Sequence, residues 1–257
     1  MRKILFFTVL VITITSCKQV KKESNEAEIN QSEVNKESEW ISLFDGTSFD
    51  NWRGYLTDSM YPEWSIENGA MVFTPSENGG KNIITKDTFT NFELSLEWKI
   101  SEGGNSGIFW GVFEDPKYSE AYQTGPEIQV LDNERHPDAL ANPKFHQAGA
   151  LYDMVQPMHD VCKPANEWNL CVLKVNHETN HGSVTLNGTE IVTFPVHGEE
   201  WDNMGENSKF KGWEGFGKHT TGQNGFEDPG AAVSVYQLTV MVMDMAYVYV
   251  VHIVTNR

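Results

Sequence analysis

The chain has 257 residues and a formal charge of −17, with 36 Asp and Glu set against 19 Lys and Arg. That balance excludes a nucleic-acid binder, which needs a basic face to meet phosphates. With 39% hydrophobic residues, the chain still carries enough apolar surface to bury the core of one sizeable domain.

In chain order, Arg2 and Lys3 precede an apolar run from Ile4 to Ile14, and Thr15-Ser16 lead into Cys17. A basic start, a short apolar stretch and small residues describe an export signal. A bilayer span needs about 20 apolar residues, and this run is shorter. Ile14-Thr15-Ser16-Cys17 resembles the bacterial lipobox, so residues 1–16 are expected to be a lipoprotein signal peptide and Cys17 the lipidated residue. Each buried methylene of an acyl chain adds about 0.8 kcal/mol of membrane affinity. The expected location is the cell envelope, with the chain lipid-anchored on the periplasmic side or the cell surface. Residues 17–39 are rich in Lys, Glu, Ser and Asn and too polar to fold, which makes them a disordered tether. The globular domain is expected over residues 40–240, and residues 241–257 form an atypical tail.

Within the domain the apolar period is two. Asn91 to Ile100 alternates strictly and predicts an antiparallel strand with one wet face. Ser106 to Phe113 is a denser apolar strand, and Glu127 to Asp132 alternates again. Glu167 to Val175 reads as a strand buried on both sides. Asn187-Gly188 inside Gly182 to Thr193 is a two-residue hairpin turn. Glu199 to Lys209 is the one stretch that suits a short helix. Many short strands separated by Gly and Pro imply an all-β sandwich or jelly roll.

Glu127 and Gln129 lie two apart on one strand, so their side chains share a face. There a carboxylate would stand beside an amide that both donates and accepts, a pairing suited to a sugar. A plain solvated strand face is the competing reading. Cys162 and Cys171 would lie in an oxidising compartment, and both a disulfide and two free thiols fit their spacing. No ligand spacing for zinc or calcium is present, although the acidic content leaves a divalent metal open. There is no phosphate loop for a nucleotide or flavin cofactor.

Several pieces together resemble the 3-keto-disaccharide hydrolase domain family. They are Trp40 to Gly46 with Trp52, Gly104-Asn105-Ser106-Gly107-Ile108, Pro126 to Asp132, Ala148-Gly149-Ala150-Leu151-Tyr152, and Trp168-Asn169 followed by Leu186-Asn187-Gly188. The resemblance implies a concanavalin A-like jelly roll that acts on glycosides whose C3 hydroxyl is oxidised to a ketone. Such a ketone acidifies the C2 hydrogen, a base removes it, the C1 substituent leaves by elimination, and water adds afterwards. The resemblance then implies Glu127 as base, with His146 and Asp132 as further catalytic candidates. Gln129, Asn105 and Tyr152 are expected to hold substrate. Trp110, Trp201 and Trp213 are candidates to stack on a sugar, with core packing as the alternative for each. Lys218 and His219 would wall the site. A carbohydrate is the expected partner, and a separate sugar 3-dehydrogenase would make the ketone. A non-catalytic carbohydrate-binding lipoprotein on the same fold is the alternative. The chain departs from the family's pattern where Trp110 replaces an Arg, Glu227 a Gln and Pro229 a His.

Overall fold

The computed structural model describes residues 40–76, 81–227 and 233–242. Cys17, the tether, Pro229 and the tail beyond residue 242 lie outside the described residues.

Among the described residues, thirteen strands form two antiparallel sheets. The first sheet runs β11 (Thr189–Phe194), β10 (His181–Leu186), β9 (Asn169–Asn176), β6 (Phe92–Ile100), β13 (Val233–Val242), β4 (Ala70–Phe73), β3 (Trp64–Glu67), and β1 (Ile41–Ser42) also pairs with β13. The second runs β2 (Trp52–Gly54), β5 (Ile83–Thr85), β12 (Gln223–Phe226), β7 (Asn105–Val112), β8 (Glu127–Leu131). Each sheet joins strands from distant parts of the sequence, with β13 between β6 and β4 in the first and β12 between β5 and β7 in the second. The chain therefore crosses between sheets repeatedly, as a jelly roll does.

The alternation in β6 does what its period predicts. Phe92, Leu94, Leu96, Trp98 and Ile100 are buried and the residues between them are partly exposed. Each inward side chain contributes about 1.5–3 kcal/mol. On the outer face of the same pair, Glu93 meets Lys174 at 3.0 Å, where exposed ion pairs are worth only about 0–1 kcal/mol. Burial, not charge, sets the register of Leu94 on Leu173 and Leu96 on Cys171. The second sheet answers with Ile83, Ile108, Trp110, Ile128, Val130 and Phe226 across the core.

One expectation needs correction. β9 is not buried on both sides: it alternates buried and open positions, and Leu170 is 42% exposed. Its outer face lies on the wet side of the first sheet. The Asn187-Gly188 turn is as read, with φ of 51° and 85°, the left-handed pair a two-residue hairpin requires. The expected helix forms as α2 (Gly198–Glu206). A further short helix, α1 (Asp138–Ala141), falls in the loop after β8. Cys162 and Cys171 are free thiols, Cys171 within the core.

β7 is densely apolar because both of its faces are covered. Ile108 and Trp110 enter the main core. Phe109 and Val112 join Tyr55, Ile84 and Ala121 in a smaller cluster on the other face. Beyond that cluster, the outer face of the second sheet carries the polar residues described next.

Candidate active site

β8 is the last strand of its sheet, but its free edge is covered. The Gln129 amide donates to the Ala150 carbonyl (3.0 Å), Gly149 to Gln129 (2.8 Å) and Tyr152 to Glu127 (3.0 Å). The loop between β8 and β9 thus lies along the strand and sets Tyr152 beside Glu127. Across β8, Phe109 pairs with Glu127 and Gly107 with Gln129. Gly107 has no side chain, and the Glu127 carboxyl lies across the space: a Cβ at Gly107 would overlap it. The Gly-Asn-Ser-Gly motif therefore includes a position that makes room for this carboxyl group.

Glu127 is 6% exposed, a buried acid on the sheet face opposite the core residues Ile128 and Val130. Burial pushes its pKa well above the ordinary carboxylate range, the Glu227 carboxylate pushes it further, Lys209 opposes this, and Asp138 adds to it. The amides of Gln129 and Asn105 meet at 3.0 Å. With its amide turned over, Gln129 donates to Glu127 Oε1 at 2.9 Å and to the Ser106 carbonyl at 3.2 Å. Gln129 is 1% exposed, so it supports Glu127 from beneath, and the half-buried Asn105 is the more accessible of the two amides.

A second group of side chains stands next to Glu127. The Tyr152 hydroxyl donates to Asp138 Oδ2 at 2.9 Å, and the ring stacks on His146 with centroids 4.3 Å apart. Burial and the bond to Asp138 raise the Tyr152 pKa, which keeps its phenol neutral. His146 lies between Asp138 (Nδ1, 2.9 Å) and Asp153 (Nε2, 2.8 Å). Both ring nitrogens are thus engaged, and His146 offers neither to a substrate. It orients Asp138 and, through it, Tyr152, so its expected catalytic role is corrected to positioning. Asp153 also accepts from the Lys209 backbone N–H at 2.6 Å. Burial alone would raise the Asp153 carboxyl, but the bonds from Lys209, His146 and Asn142 hold it below the ordinary range. That tie places the Lys209 ammonium 3.8 Å from the Tyr152 ring centroid, within the field of Glu127.

Other candidates are not at this site. Asp132 accepts from the backbone of Gly103 (2.7 Å) and Glu134 (3.1 Å) and pairs with Arg135 (3.2 Å). Burial works against these contacts, yet they hold its carboxyl below the ordinary range and commit it to fixing the turn before β7. Trp110 is 4% exposed and packs on Phe194 in the core, turned away from Glu127's face, which removes it as a sugar platform. Lys218 pairs with Asp202 at 2.6 Å and, with Trp201 and Trp213, lines a different cavity. His219 stacks on Phe113 at 4.1 Å.

Lys209, Asp138 and Asp153 are the members sequence reasoning missed, and Glu227 stood out there only as a departure from the family's pattern. Asp138 and Asp153 come from the connection between β8 and β9, Lys209 from the segment between α2 and β12, and Glu227 from just past the end of β12. The only local signal was a His between two Asp residues in one loop. Among the described residues, no group of three or more His, Cys, Asp or Glu is arranged to hold a metal ion.

Residues 39–241 match the family described as the 3-keto-alpha-glucoside-1,2-lyase-like domain. The chain belongs to this family. A curated relative, the 3-keto-disaccharide hydrolase of Bacteroides thetaiotaomicron, is 36% identical over 187 residues, which is 66% of this chain and 63% of the relative. The match therefore spans less than two thirds of that protein's length. A solved structure of a candidate glycosyl hydrolase from Parabacteroides distasonis is 27% identical, with a TM-score of 0.73 over 80% of this chain and 94% of that one. A second from the same organism, at 23% identity and TM-score 0.60 over 79% and 99%, shares the fold. Family membership and the buried Glu127 fall on the same surface: the family-like pieces around Asn105, Glu127 and Tyr152 are the strands and loop that build it.

Proposed function

We propose that this chain cleaves glycosides carrying a C3 ketone, with Glu127 as the base that takes the C2 proton. The observation that carries the reading is one buried, proton-loving carboxyl group with the Lys209 ammonium in its field. A carboxylate with a raised pKa is a stronger base than an exposed one, and a positioned base contributes about 10²–10⁴-fold. The C2–H electron pair forms the enolate as the proton passes to Glu127. The enolate then re-forms its ketone as a C1=C2 double bond develops and the C1–O bond breaks. The departing oxygen takes a proton, which the now protonated Glu127 carries. Water adds across the C1=C2 bond to finish the hydrolysis. Lys209 is the cation available to the enolate oxygen, and positive charge placed where the enolate develops lowers the barrier. Asn105 is the accessible amide for a substrate hydroxyl.

The curated relative's name supports a disaccharide as substrate, and the ketone is supplied by an oxidation at C3 of a sugar in a preceding reaction. Export and anchoring through Cys17 belong to the same reading. A paired assay tests it: a 3-keto-disaccharide should be split into sugar products while the same disaccharide with its C3 hydroxyl intact is untouched. Cleavage of both at equal rates, or of neither, contradicts the proposal.

A further inference from the structure

The segment from Gly198 to Lys218 carries four large aromatic side chains in 21 residues, and they do not simply fill space. Phe210 stacks on Phe216 with centroids 3.7 Å apart, and Trp201 lies parallel to Phe216 at 6.5 Å. Trp213 stands edge-on to both Phe210 (5.3 Å, 81°) and Phe216 (6.5 Å, 88°). Trp201, Phe210 and Phe216 are buried, whereas Trp213 is only partly covered. An open cavity of about 400 Å³ is lined by these four rings and rimmed by Asp202, Glu206, Glu214 and Lys218. Small-molecule sites begin at about 300 Å³.

Two links join this cavity to Glu127, one through the contacts of Lys209 and one through the field of Glu227. Phe210 follows Lys209 directly, and the Lys209 ammonium lies 5.2 Å from the Phe210 ring and 3.8 Å from the Tyr152 ring. On another side Trp213 packs on Tyr122 at 6.1 Å, and Tyr122 lies in the field of Glu227, the carboxylate that raises the Glu127 pKa. The cavity therefore flanks the candidate active site across the Lys209–Phe210 step.

We infer that the Trp213 cavity is a carbohydrate subsite holding the sugar that leaves from C1. Its lining matches that ligand in two respects. A pyranose offers apolar C–H faces to an aromatic ring, and Trp213 is the ring still open to receive one. Its hydroxyls donate, and the rim supplies the acceptor carboxylates of Asp202, Glu206 and Glu214. A purely apolar aglycone would leave those acids idle. Binding energy gathered away from the bond being broken is what a lyase of this kind would use to place C1 and C2 against Glu127. The subsite rests on the proposed reaction for its position as a leaving-group site, though not for its capacity to bind a sugar.

Two variants probe the cavity from different sides. Trp213→Ala removes the open ring. Gly205→Leu grows a side chain from a lining position where a new Cβ meets nothing within 4 Å, so that it takes up cavity space. Both should lower kcat/KM for a 3-keto-disaccharide by roughly tenfold while changing that for methyl 3-keto-glucoside less than twofold. An equal loss on both substrates, or no loss on either, overturns the subsite. If the wild type turns over neither substrate, the reaction proposal fails and maltose binding decides the subsite alone. Quenching of tryptophan fluorescence by maltose that Gly205→Leu abolishes sustains it. Absence of maltose binding to the wild type overturns it.

Discussion

At the scale of single residues, the central fact is a carboxyl group held where water would normally stabilise its charge and does not. Glu127 is buried beside Glu227, and both conditions raise its affinity for a proton. The sign for activity follows. A base works only when ionised, so kcat/KM should climb with pH through an acid limb above the ordinary carboxylate range of about 4.3. In Glu227→Gln one cause of the shift is gone and burial remains. The acid limb should move to lower pH without returning to the ordinary range, as a pH–rate profile reads directly. A limb that stays in place would show that Glu227 does not act on the base. The Glu127–Gln129 pairing was legible in the sequence because strand period alone puts both on one face. Lys209 was not. It reaches the site because Asp153, 56 positions earlier, binds its backbone N–H, and no pattern in either segment announces that bond.

At the scale of elements, β7 and β8 act as one device. Gly107 leaves the hollow, Glu127 lies in it, and the loop from Gly149 to Tyr152 seals the outer edge of β8. Gly107→Ala would press a methyl group against the carboxyl. Overpacking of a tight site costs about 1–3 kcal/mol, so thermal unfolding should show a lower Tm. The displaced carboxyl should also lower kcat by tenfold or more, since misplacement of a reacting group by about 1 Å can cost 10²-fold. Unchanged kcat with a lowered Tm would separate the glycine from the chemistry. The strands themselves were the readable part of the chain: β6 and β8 follow from alternation, β7 from its dense apolar run and the β10–β11 hairpin from Asn187-Gly188. The two-sided burial expected for β9 failed because apolar Leu170 and Val172 sit on the wet face, where residue type misreports environment. Asp132 left two readings open, a catalytic acid and a strand-end turn residue, and its contacts are those of the turn. An acid at a strand end beside a candidate site looks catalytic until the Gly103 and Arg135 contacts that occupy it are seen.

At the scale of the whole molecule, the β-sandwich carries the candidate site on one outer sheet face, and the proposed lipid anchor at Cys17 has its own test. Cys17→Ser should remove the acylation site. In cells fed labelled palmitate, the wild type should take up label and sediment with membranes, while Cys17→Ser should do neither. Label retained by the variant would contradict the anchor. The −17 charge fits a role in which the partner is a neutral sugar, recognised through hydroxyls and ring faces rather than through opposite charge.

The most direct test of the account is the fate of the hydrogen on C2. With a 3-keto-disaccharide deuterated at that carbon, the wild type should cleave more slowly than with the protiated substrate, and Glu127→Gln should lose about 10²–10⁴-fold in kcat on either. Cleavage at the same rate for both isotopes together with full activity in Glu127→Gln would contradict it.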